Sequence, residues 1–536
     1  MHPMFWAEKI ADEVERRYAD RIQAGQPIIV RDEKTASGHV HVGSLRSASL
    51  HALVADVLRT RGIEVRFYFE INDLDPFDGI PSYLDTAAYT PHLGKPLRDV
   101  PAPDGTSANF AEQYGREYMR VLERIGFGAE FYTASELYES GAMNEPIRRI
   151  LAGRDQVREI MRRISGSERA KDWYPLSVIC EHCGSLSATR VTDFDGEYVT
   201  YECSSDTIEW ADGCGHRGRI SPFDGNAKLP WKPDWAAKFS VVGGGVQFEG
   251  GGKDHYSKGG ARQVAEAICR EVLKHEPPYG VFNEFFLVGG QKMSSSKGNA
   301  ATAVEMVEIL PPHLLRFLLL KTPINRQISF APDGDAIPRL FDEYDKAAQK
   351  YFAGQDDDDA RIFSYAHLPV DRAQLASRFL PRFSTVAFLV QMPHMQLDQE
   401  VAALKGDGEQ LSNADMQELA LRSHYAKRWL AEYASDEFKF ELQQELPPAA
   451  AELTSEQRTA MTVLAQKLKD ATDTSGAALH ELIHEAKEQS GLSPRAFFEA
   501  IYRLFLGKES GPKAGWFLSS LDRAFVISRL ESAYDL

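Results

Sequence analysis

The chain has 536 residues, 43% of them hydrophobic, and a formal net charge of −17. This length predicts two to four globular domains, and the charge excludes a protein coated with phosphate-binding lysines, although local RNA-binding patches remain possible. Five cysteines, four of them clustered, argue against a secreted disulfide framework, and no apolar run is long enough to span a bilayer. The N-terminus leads into a charged helix at 7–21 without a visible signal peptide, so we expect a soluble cytoplasmic protein.

The first predicted unit is a strand, a turn and a helix. Residues 27–30 form a short apolar run that indicates a buried strand, and apolar residues recur at helical spacing over 45–59. Between them lies a segment that we call the histidine turn (residues 35–44). It contains two glycines and two histidines, namely Gly38, His39, His41 and Gly43.

The chemistry of the histidine turn favours a phosphate-containing ligand. An open parallel sheet binds ligands at the carboxyl ends of its strands, and a helix N-terminus attracts anions. His39 and His41 can donate hydrogen bonds to phosphate oxygens, and Gly43 leaves room for a flat base. The alternative is an ordinary loop whose histidines are satisfied within the fold.

A second strand is predicted at 63–72, and it ends in polar residues. Asp73 and Asp75 can face a ligand there, or they can cap the following turn. The next segment is rich in proline, and helices are predicted at 110–125 and 142–165. The second of these carries arginines that could contact RNA or could form paired charges on an exposed helix face. These arginines are Arg148, Arg149, Arg154, Arg158, Arg162 and Arg163.

Four cysteines follow at spacings typical of a metal site. Cys180 and Cys183 form a C-x-x-C knuckle, and Cys203 and Cys214 follow a predicted hairpin with strands at 188–192 and 198–202. Two pairs of thiolates on a hairpin predict a closed, structural zinc site. His216 could replace one thiolate, and free thiols or a disulfide are the remaining alternatives.

A second glycine-rich turn resembles the first in its setting. Residues 239–242 and 246–249 are predicted to be strands, and a helix is predicted at 261–273. Between them lies the glycine turn (residues 250–255), where Gly252 lets backbone approach a ligand closely. Asp254 could accept hydrogen bonds from ribose hydroxyls or an ammonium, or it could cap the helix. Trp231 and Trp235 precede this region and could wall a pocket or pack in the core.

The third glycine- and hydroxyl-rich stretch is the serine-rich loop (residues 292–299). It follows a predicted strand at 285–288 and carries Lys292, three consecutive serines and Lys297. Lysine charges and hydroxyl donors are suited to a polyphosphate, whereas the alternative is a solvated surface loop. Beyond residue 330 the sequence is strongly helical, with apolar stripes that predict a helical core.

Together these motifs resemble those of the class I aminoacyl-tRNA synthetases. His41-Val42-Gly43-Ser44 is similar to their H-I-G-H element and Lys292-Met293-Ser294-Ser295-Ser296 to their K-M-S-K-S element, with Ser44 and Ser295 as departures. The histidine turn, the cysteine knuckle, the glycine turn and the serine-rich loop, in this order, look like the class I lysyl-tRNA synthetases. In that branch a serine at the position of Ser295 is usual.

The resemblance implies an α/β fold. It consists of a Rossmann-like parallel-sheet catalytic domain with a zinc-ribbon-like insertion, followed by an all-α C-terminal anticodon-binding domain. The expected boundaries are the following: first half of the catalytic domain 1–75, insertion 76–228 with the zinc module at 176–220, second half 229–290, serine-rich loop and helical connector 291–375, and anticodon-binding domain 376–536.

The resemblance also implies the activity of a lysine–tRNA ligase that uses ATP with Mg²⁺ and a structural Zn²⁺, with L-lysine and tRNA(Lys) as partners and no DNA. The residues expected to be catalytic are His39, His41, Lys292, Ser294, Ser295 and Ser296. Those expected to bind the nucleotide are Gly38, Val42, Gly43, Ser44, Gly252, Asp254, His255, Met293 and Lys297. The expected zinc ligands are Cys180, Cys183, Cys203 and Cys214.

Within this implied mechanism, the partner of the lysine ε-ammonium is not defined by the motifs, and Asp73 and Asp254 are two candidates. Two other functions remain open from the sequence. One is a class I synthetase for another amino acid, and the other is a catalytically inactive zinc-containing RNA-binding protein.

Overall fold

The computed structural model describes residues 4–289, 302–367, 375–392, 396–406, 409–473 and 475–534. The chain divides into two compact units. The first comprises Met1–Ala331 with Lys346–Leu375, and the second comprises Pro332–Asp345 with Ala376–Leu536. Among the described helices, none combines the length and the apolar character that a bilayer crossing requires.

The first unit is built on a parallel sheet. Strand Ile28–Thr35 pairs with Val65–Asn72, which pairs with Glu130–Thr133, and all of these pairings are parallel. The order continues on the other side of Ile28–Thr35 through parallel bridges from Val30 to Phe248 and from Phe248 to Tyr279. The first strand therefore has the second strand on one side and a late strand on the other, which is the topological switch point where open α/β sheets bind ligands. This arrangement confirms the predicted fold class.

The helix after the histidine turn is buried against this sheet. It spans Ser44–Thr60, and we call it the signature helix. Nearly all of its side chains from Leu45 to Leu58 are buried, as expected for a crossover helix that lies between a parallel sheet and other helices.

The remaining elements of the first unit are mostly helical. The helices are Trp6–Arg17, Ala19–Gln23, Thr86–Tyr89, Phe110–Ile125, Ala134–Glu139, Asn144–Ala152, Arg154–Ser165, Trp231–Val241, Ala261–Glu271, Ala303–Ile309, Pro312–Lys321 and Asp358–Ala366. Short 3-10 turns occur at Thr90–His92, Leu97–Asp99, Val242–Gly244 and Lys253–His255. The other strands are Ser177–Val178, Thr189–Phe194, Val199–Cys203, Arg217–Ile220, Ala227–Lys228, Gly251–Gly252, Phe282–Asn283, Phe286–Val288 and Ile328–Phe330.

Four secondary-structure predictions differ from the structure. The helix predicted at 7–21 is two helices, Trp6–Arg17 and Ala19–Gln23, and the strand predicted at 246–249 is reduced to isolated bridges at Phe248. Residues 239–242 were predicted as a strand but end the helix Trp231–Val241, in which most side chains from Pro233 to Phe239 are buried. A helix that is buried on nearly all sides has no amphipathic period, so its sequence resembles a buried strand. The single helix predicted at 142–165 is two helices, Asn144–Ala152 and Arg154–Ser165, separated at Gly153.

The regular elements in the described part of the second unit are α-helices and one 3-10 turn at Pro448–Glu452. Its helices are Phe383–Leu389, Leu397–Lys405, Asn413–Glu432, Ser455–Asp470, Gly476–Ser490, Pro494–Leu506, Ala514–Ser519 and Arg523–Glu531, and helix Ala336–Phe352 contributes residues to both units. The predicted start of one helix is confirmed, because Ser493 accepts a hydrogen bond from the Ala496 N–H. The same helix ends at Gly507 in a left-handed conformation, a common helix stop.

Candidate active site

A cavity of about 470 Å³ opens at the carboxyl ends of the central strands. Its wall is formed by the end of the first strand, the histidine turn, the start of the signature helix, the glycine turn and residues 283–287. These are the elements that meet at the switch point of the sheet. Residues from both glycine-rich turns predicted from the sequence thus line one pocket.

Six of the predicted residues line this cavity, and they are His41, Gly43, Ser44, Gly252, Asp254 and His255. Three others do not, although they lie in the same turn. Val42 is fully buried in the core, and neither Gly38 nor His39 belongs to the lining. Gly38 has a φ of 136°, a backbone conformation that L side chains rarely adopt.

His39 faces a carboxylate beside the cavity. Its Nδ1 lies 2.9 Å from both carboxylate oxygens of Glu117, and its side chain is 42% exposed. The hydrogen bond that His39 donates to the Glu117 carboxylate raises the pKa of His39 despite the opposing effect of partial burial. Its backbone N–H donates to the Tyr83 hydroxyl at 3.0 Å, and its ring packs edge-on against Tyr114. These contacts favour a role in orienting the turn.

His41 is held close to the glycine that follows it. A Cβ at Gly43 would lie 2.8 Å from Nδ1 of His41, so only glycine leaves the imidazole in its present position. The backbone of His41 forms an antiparallel bridge with Thr302, and the Ala303 N–H donates to the Val40 carbonyl at 2.8 Å. The segment that follows the serine-rich loop is therefore joined to the histidine turn.

The predicted residues of the serine-rich loop itself lie outside the described residues. They are Lys292, Met293, Ser294, Ser295, Ser296 and Lys297. The strand that precedes them, Phe286–Val288, pairs in parallel with Ile328–Phe330, and Phe286 and Leu287 line the cavity. The described chain before the loop thus contributes to the cavity, and Thr302 after it pairs with cavity-lining His41.

A buried network of charged side chains lies beside the cavity. Arg31 contacts Glu249 at 2.7 Å and Glu70 at 3.0 Å, and it also binds Glu33. Lys238 lies 2.5 Å from Glu70. The members of this network, which we call the charge network, are Arg31, Glu33, Glu70, Asp75, Lys228, Asp234, Lys238 and Glu249.

Three members of the charge network, Glu33, Asp75 and Glu249, also line the cavity. Burial raises the pKa of Glu249 even though Arg31 opposes this effect. Glu249 is 2% exposed, and its Oε1 accepts from Trp235 Nε1 at 2.5 Å. Its other oxygen, Oε2, is buried and has no hydrogen-bond partner within the described part of the chain. A buried carboxylate oxygen in this position is suited to a cationic ligand.

The sequence analysis missed most of the charge network, although a signal was present. Glu70 and Lys238 each interrupt an otherwise apolar run, Arg31 directly follows one, and all three are fully buried. A charged residue in a buried strand or helix is costly unless it is paired. Three such residues in segments converging on one sheet would have indicated a shared polar cluster.

Aromatic side chains form another wall. The indoles of Trp231 and Trp235 stack with centroids 6.2 Å apart, and His255 meets both rings edge-on. Trp231 is 46% exposed, whereas Trp235 is buried. Burial lowers the pKa of His255 below its usual value, which favours the neutral imidazole at pH 7. This wall can cover the aliphatic part of a ligand.

The two aspartates at the end of the second strand have different partners. Asp73 accepts from the Ser135 N–H at 2.8 Å and also from the Ser135 hydroxyl, so its carboxylate caps a helix start and does not belong to the cavity lining. Asp75 lines the cavity, accepts from the Thr35 hydroxyl at 2.6 Å and lies 2.9 Å from Lys228. Of the two candidates for an ammonium partner, only Asp254 lies in the lining.

The four clustered cysteines form a separate candidate metal centre. All four Sγ atoms lie within 4.8 Å of one another, and Cys180–Cys214 and Cys183–Cys203 are each 3.7 Å apart. A tetrahedral ion with Zn–S bonds of about 2.3 Å sets its sulfurs about 3.8 Å apart, so these residues fit zinc. All five cysteines of the chain are described, and none forms a disulfide. His216 does not belong to the cluster.

The candidate RNA-binding arginines on helices Asn144–Ala152 and Arg154–Ser165 are largely paired. Arg149 lies 2.8 Å from Glu145, and Arg162 lies 2.8 Å from Glu159. Arg148 and Arg154 cover the rings of Phe223 and Tyr174, and Arg158 and Arg163 contact Asp155 and Glu271. The alternative of an exposed face with paired charges therefore describes them better.

Comparison with known proteins gives consistent matches. A family model described as "tRNA synthetases class I (K)" matches residues 4–368, and one described as "Anticodon binding domain" matches residues 385–534. A lysine–tRNA ligase of Methanosarcina barkeri is 32% identical over 98% of this chain and 97% of its own length. A lysine–tRNA ligase of Pyrococcus horikoshii is 32% identical over 98% and 99%. Among solved structures, a glutamate tRNA ligase from Elizabethkingia meningosepticum covers 95% of this chain and 99% of its own at 13% identity, with a TM-score of 0.42.

Proposed function

The chain belongs to the family of class I tRNA synthetases of the lysine type, and we propose on that basis that it is an ATP-dependent lysine–tRNA ligase acting in the cytoplasm. It converts L-lysine and ATP to lysyl-adenylate and pyrophosphate in the cavity, and it then transfers the lysyl group to tRNA(Lys). The match of residues 385–534 to anticodon-binding domains supports tRNA as the acceptor.

The observation that carries the choice of lysine is the composition of the charge network. Its carboxylates are Glu33, Glu70, Asp75, Asp234 and Glu249, and its cations are Arg31, Lys228 and Lys238. When all members are ionised, the network carries two more negative than positive charges. Lysine brings two ammonium groups that these carboxylates can contact, while its own carboxylate is directed to the α-phosphate of ATP, so the free amino acid offsets one of the two excess charges.

Glu249 and Glu33 are our candidates for the ammonium partners of lysine, because both line the cavity. The unpartnered Oε2 of Glu249 gains a charge-assisted hydrogen bond when an ammonium binds. An uncharged amino acid of similar length leaves that buried oxygen unsatisfied, and a site built for a polar contact rejects such analogues strongly. The indoles of Trp231 and Trp235 would cover the methylene chain.

In the first step, a carboxylate oxygen of lysine attacks the α-phosphorus of ATP, and the bond to the β-phosphate oxygen breaks. The electron pair leaves with pyrophosphate, so no nucleophilic side chain is needed and the protein contributes position and electrostatic stabilisation. His41 donates to the phosphates, and Gly43 and Gly252 let the adenosine approach the backbone. Mg²⁺ accompanies ATP and neutralises phosphate charge. Lys292, with Ser294 to Ser296 and Lys297, is proposed from sequence to stabilise the departing pyrophosphate.

The four cysteines are proposed to bind a structural Zn²⁺. The ion would stabilise the insertion by joining the knuckle at Cys180 and Cys183 to the hairpin that ends near Cys203 and Cys214. A closed set of four thiolates leaves no position for a substrate, so no catalytic step passes through this ion.

The proposed function is tested by measuring the exchange between ATP and pyrophosphate in the presence of each of the twenty amino acids in turn. We expect exchange with lysine and little with any other amino acid. Exchange with a different amino acid would identify a synthetase of another specificity, and tRNA binding without any exchange would identify an inactive RNA-binding protein.

Two substitutions test the nucleotide contacts. We expect His41→Ala and Lys292→Ala each to lower exchange about a hundredfold or more, the scale on which a transition-state donor acts. Both variants should keep the melting temperature of the parent protein. Near-normal exchange in either variant contradicts the role of that residue.

Glu249→Gln tests the lysine assignment. It keeps the side-chain volume and removes one negative charge, so KM for lysine should rise at least tenfold while KM for ATP changes little. Glu13→Gln, in helix Trp6–Arg17 and outside the cavity lining, serves as a control with the same chemical change. An unchanged KM for lysine in Glu249→Gln excludes this carboxylate from lysine binding.

A further inference from the structure

A buried histidine outside the cavity lining connects three parts of the cavity wall. His51 lies in the signature helix and is 0% exposed. Its Nε2 accepts a hydrogen bond from the Gly250 N–H at 2.8 Å. Its Nδ1 lies 2.9 Å from the Ser47 carbonyl oxygen and 3.3 Å from Oδ2 of Asp32.

The three partners of His51 all line the cavity, although His51 does not. Asp32 lies near the end of the first strand, Ser47 in the first turns of the signature helix, and Gly250 at the start of the glycine turn. The imidazole thus joins its own helix to the first strand, which is near in sequence, and to the glycine turn, which is 199 residues away at Gly250.

The glycine turn has little freedom to move where His51 holds it. A Cβ at Gly250 would lie 2.4 Å from Leu50 Cδ2 and 2.6 Å from the Val281 carbonyl oxygen, so the backbone is pressed against the signature helix. The hydrogen bond to His51 adds a directional contact to this packing.

The two ring nitrogens have different tasks. A backbone N–H can only donate, so Nε2 of His51 is the unprotonated nitrogen, and Nδ1 carries the proton that it donates to Ser47 or Asp32. Asp32 in turn accepts from the Glu33 N–H at 2.9 Å, beside the charge network. Nε2 therefore holds the glycine turn, and Nδ1–H orients the carboxylate side of the cavity.

We propose that His51 is a positioning residue with two separable effects, one on each half of the substrate pair. Through Gly250 it positions the turn that receives the adenosine of ATP, and through Asp32 it positions the acidic side that receives lysine. This inference rests on the proposed function for its choice of ligands.

Two conservative variants separate the effects. The amide of Asn can retain a donor near the position of Nδ1 but cannot reach Gly250, whereas the amide oxygen of Gln can replace Nε2 as acceptor without supplying Nδ1–H. We expect His51→Asn to raise KM for ATP about tenfold and to change KM for lysine less than twofold, on the scale of one lost buried hydrogen bond. We expect His51→Gln to raise KM for lysine about tenfold and to change KM for ATP less than twofold.

The control is Ser49→Ala. Ser49 is also buried in the signature helix, but its hydroxyl donates to the Arg46 carbonyl and it does not line the cavity. Both KM values should stay unchanged in this variant. If Asn and Gln at position 51 raise both KM values equally, or if neither value changes, the proposed separation of the two nitrogens is overturned.

Amide hydrogen exchange gives a readout that does not depend on activity. In full-length protein without substrates, the Gly250 amide should exchange faster in His51→Asn than in the parent protein, and it should remain protected in His51→Gln. Absence of lysine-dependent exchange in the parent protein would refute the proposed function alone. Equal protection of Gly250 in the parent protein and His51→Asn would refute the positioning role alone.

Discussion

At the scale of single residues, parts of the cavity wall are packed so closely that an added methyl group would not fit. The strongest case is the contact between Gly43 and the imidazole of His41. The backbone of His41 is fixed by its pairing with Thr302, so the ring cannot shift as a whole with the turn. A side chain at Gly43 must therefore rotate the imidazole away from its position in the cavity wall.

Gly43→Ala is expected to lower exchange at least tenfold, because the added methyl group displaces His41 while every polar group is kept. Gly79→Ala is the matched control, since a Cβ at Gly79 meets no atom within 4 Å. The measurement is kcat/KM for ATP in the exchange assay. Parent-like activity in Gly43→Ala would mean that the position of the His41 ring does not matter.

Gly252→Ala tests the glycine turn by adding a methyl group that faces the cavity and not the protein. A Cβ at this position meets no protein atom within 4 Å, so stability should be unchanged, but Gly252 lines the cavity. The methyl group would occupy space needed by the ligand, and we expect KM for ATP to rise several-fold with an unchanged melting temperature. If ATP binds as tightly as in the parent protein, the adenosine lies elsewhere.

The pair formed by His39 and Glu117 predicts a dependence on pH. Glu117 raises the pKa of His39, so the protonated imidazole is favoured in the folded protein. The stabilisation is fully present below the unfolded pKa of about 6.5 and is lost as pH rises through the higher folded value. An NMR titration should give a pKa for His39 above 6.5, and Glu117→Gln should lower it. Identical titration curves would show that the ion pair does not form in solution.

At the scale of secondary-structure elements, period and capping signals were sufficient where one face of an element is polar. The helix predicted at 110–125 is observed as Phe110–Ile125, with Asn109 as its N-cap and Gly126 in a left-handed conformation after it. The strand predicted at 63–72 is observed as Val65–Asn72. Local chemistry fixes these boundaries.

The sequence was less informative about elements whose structure depends on contacts with other parts of the fold. The helix Trp231–Val241 is buried from Pro233 to Phe239. Its buried Lys238 is understandable only from its contacts with Glu70 on the second strand and with Asp234 one turn earlier in the same helix. The same holds for His39, whose partner Glu117 is distant in sequence. The histidine and glycine turns were recognisable, but side-chain partners across the sheet were not, because no local spacing encodes them.

The cysteine hairpin is an element whose stability should depend on metal. Strand Val199–Cys203 pairs with Thr189–Phe194 and Arg217–Ile220, and the four sulfurs lie beside this small sheet. We expect elemental analysis to give one zinc per chain, and chelation to release it and to increase hydrogen exchange over residues 176–220. Cys203→Ser should have the same effect, whereas Cys269→Ser, outside the cluster, should retain zinc. Unchanged exchange in metal-free protein would contradict a structural role.

At the scale of the whole molecule, the net charge of −17 opposes RNA binding in general. Contacts with tRNA phosphates must therefore come from local cationic groups, and such contacts weaken with salt because counterions are released. The charge network is buried, so the interaction with lysine that we propose for it should be screened much less.

Salt should therefore affect the two half-reactions differently. Between 50 and 300 mM NaCl, we expect KM for tRNA in aminoacylation to rise roughly tenfold or more, whereas KM for lysine in exchange should change about twofold at most. The same enzyme preparation serves for both assays, which controls for loss of active protein. Parallel changes in both constants would indicate that salt acts on the fold and not on RNA contacts.

The backbone pairing between His41 and Thr302 has a consequence for how such proteins can recombine. The histidine turn and the serine-rich loop are separated by most of the first unit in sequence, yet the histidine turn and the segment after the serine-rich loop share hydrogen-bonded backbone. A chimaera made from two relatives, with its crossover anywhere between these motifs, joins halves that must fit each other at this bridge. A chimaera should therefore keep its stability and activity when both motifs come from one parent, and it should lose stability or activity when they come from two.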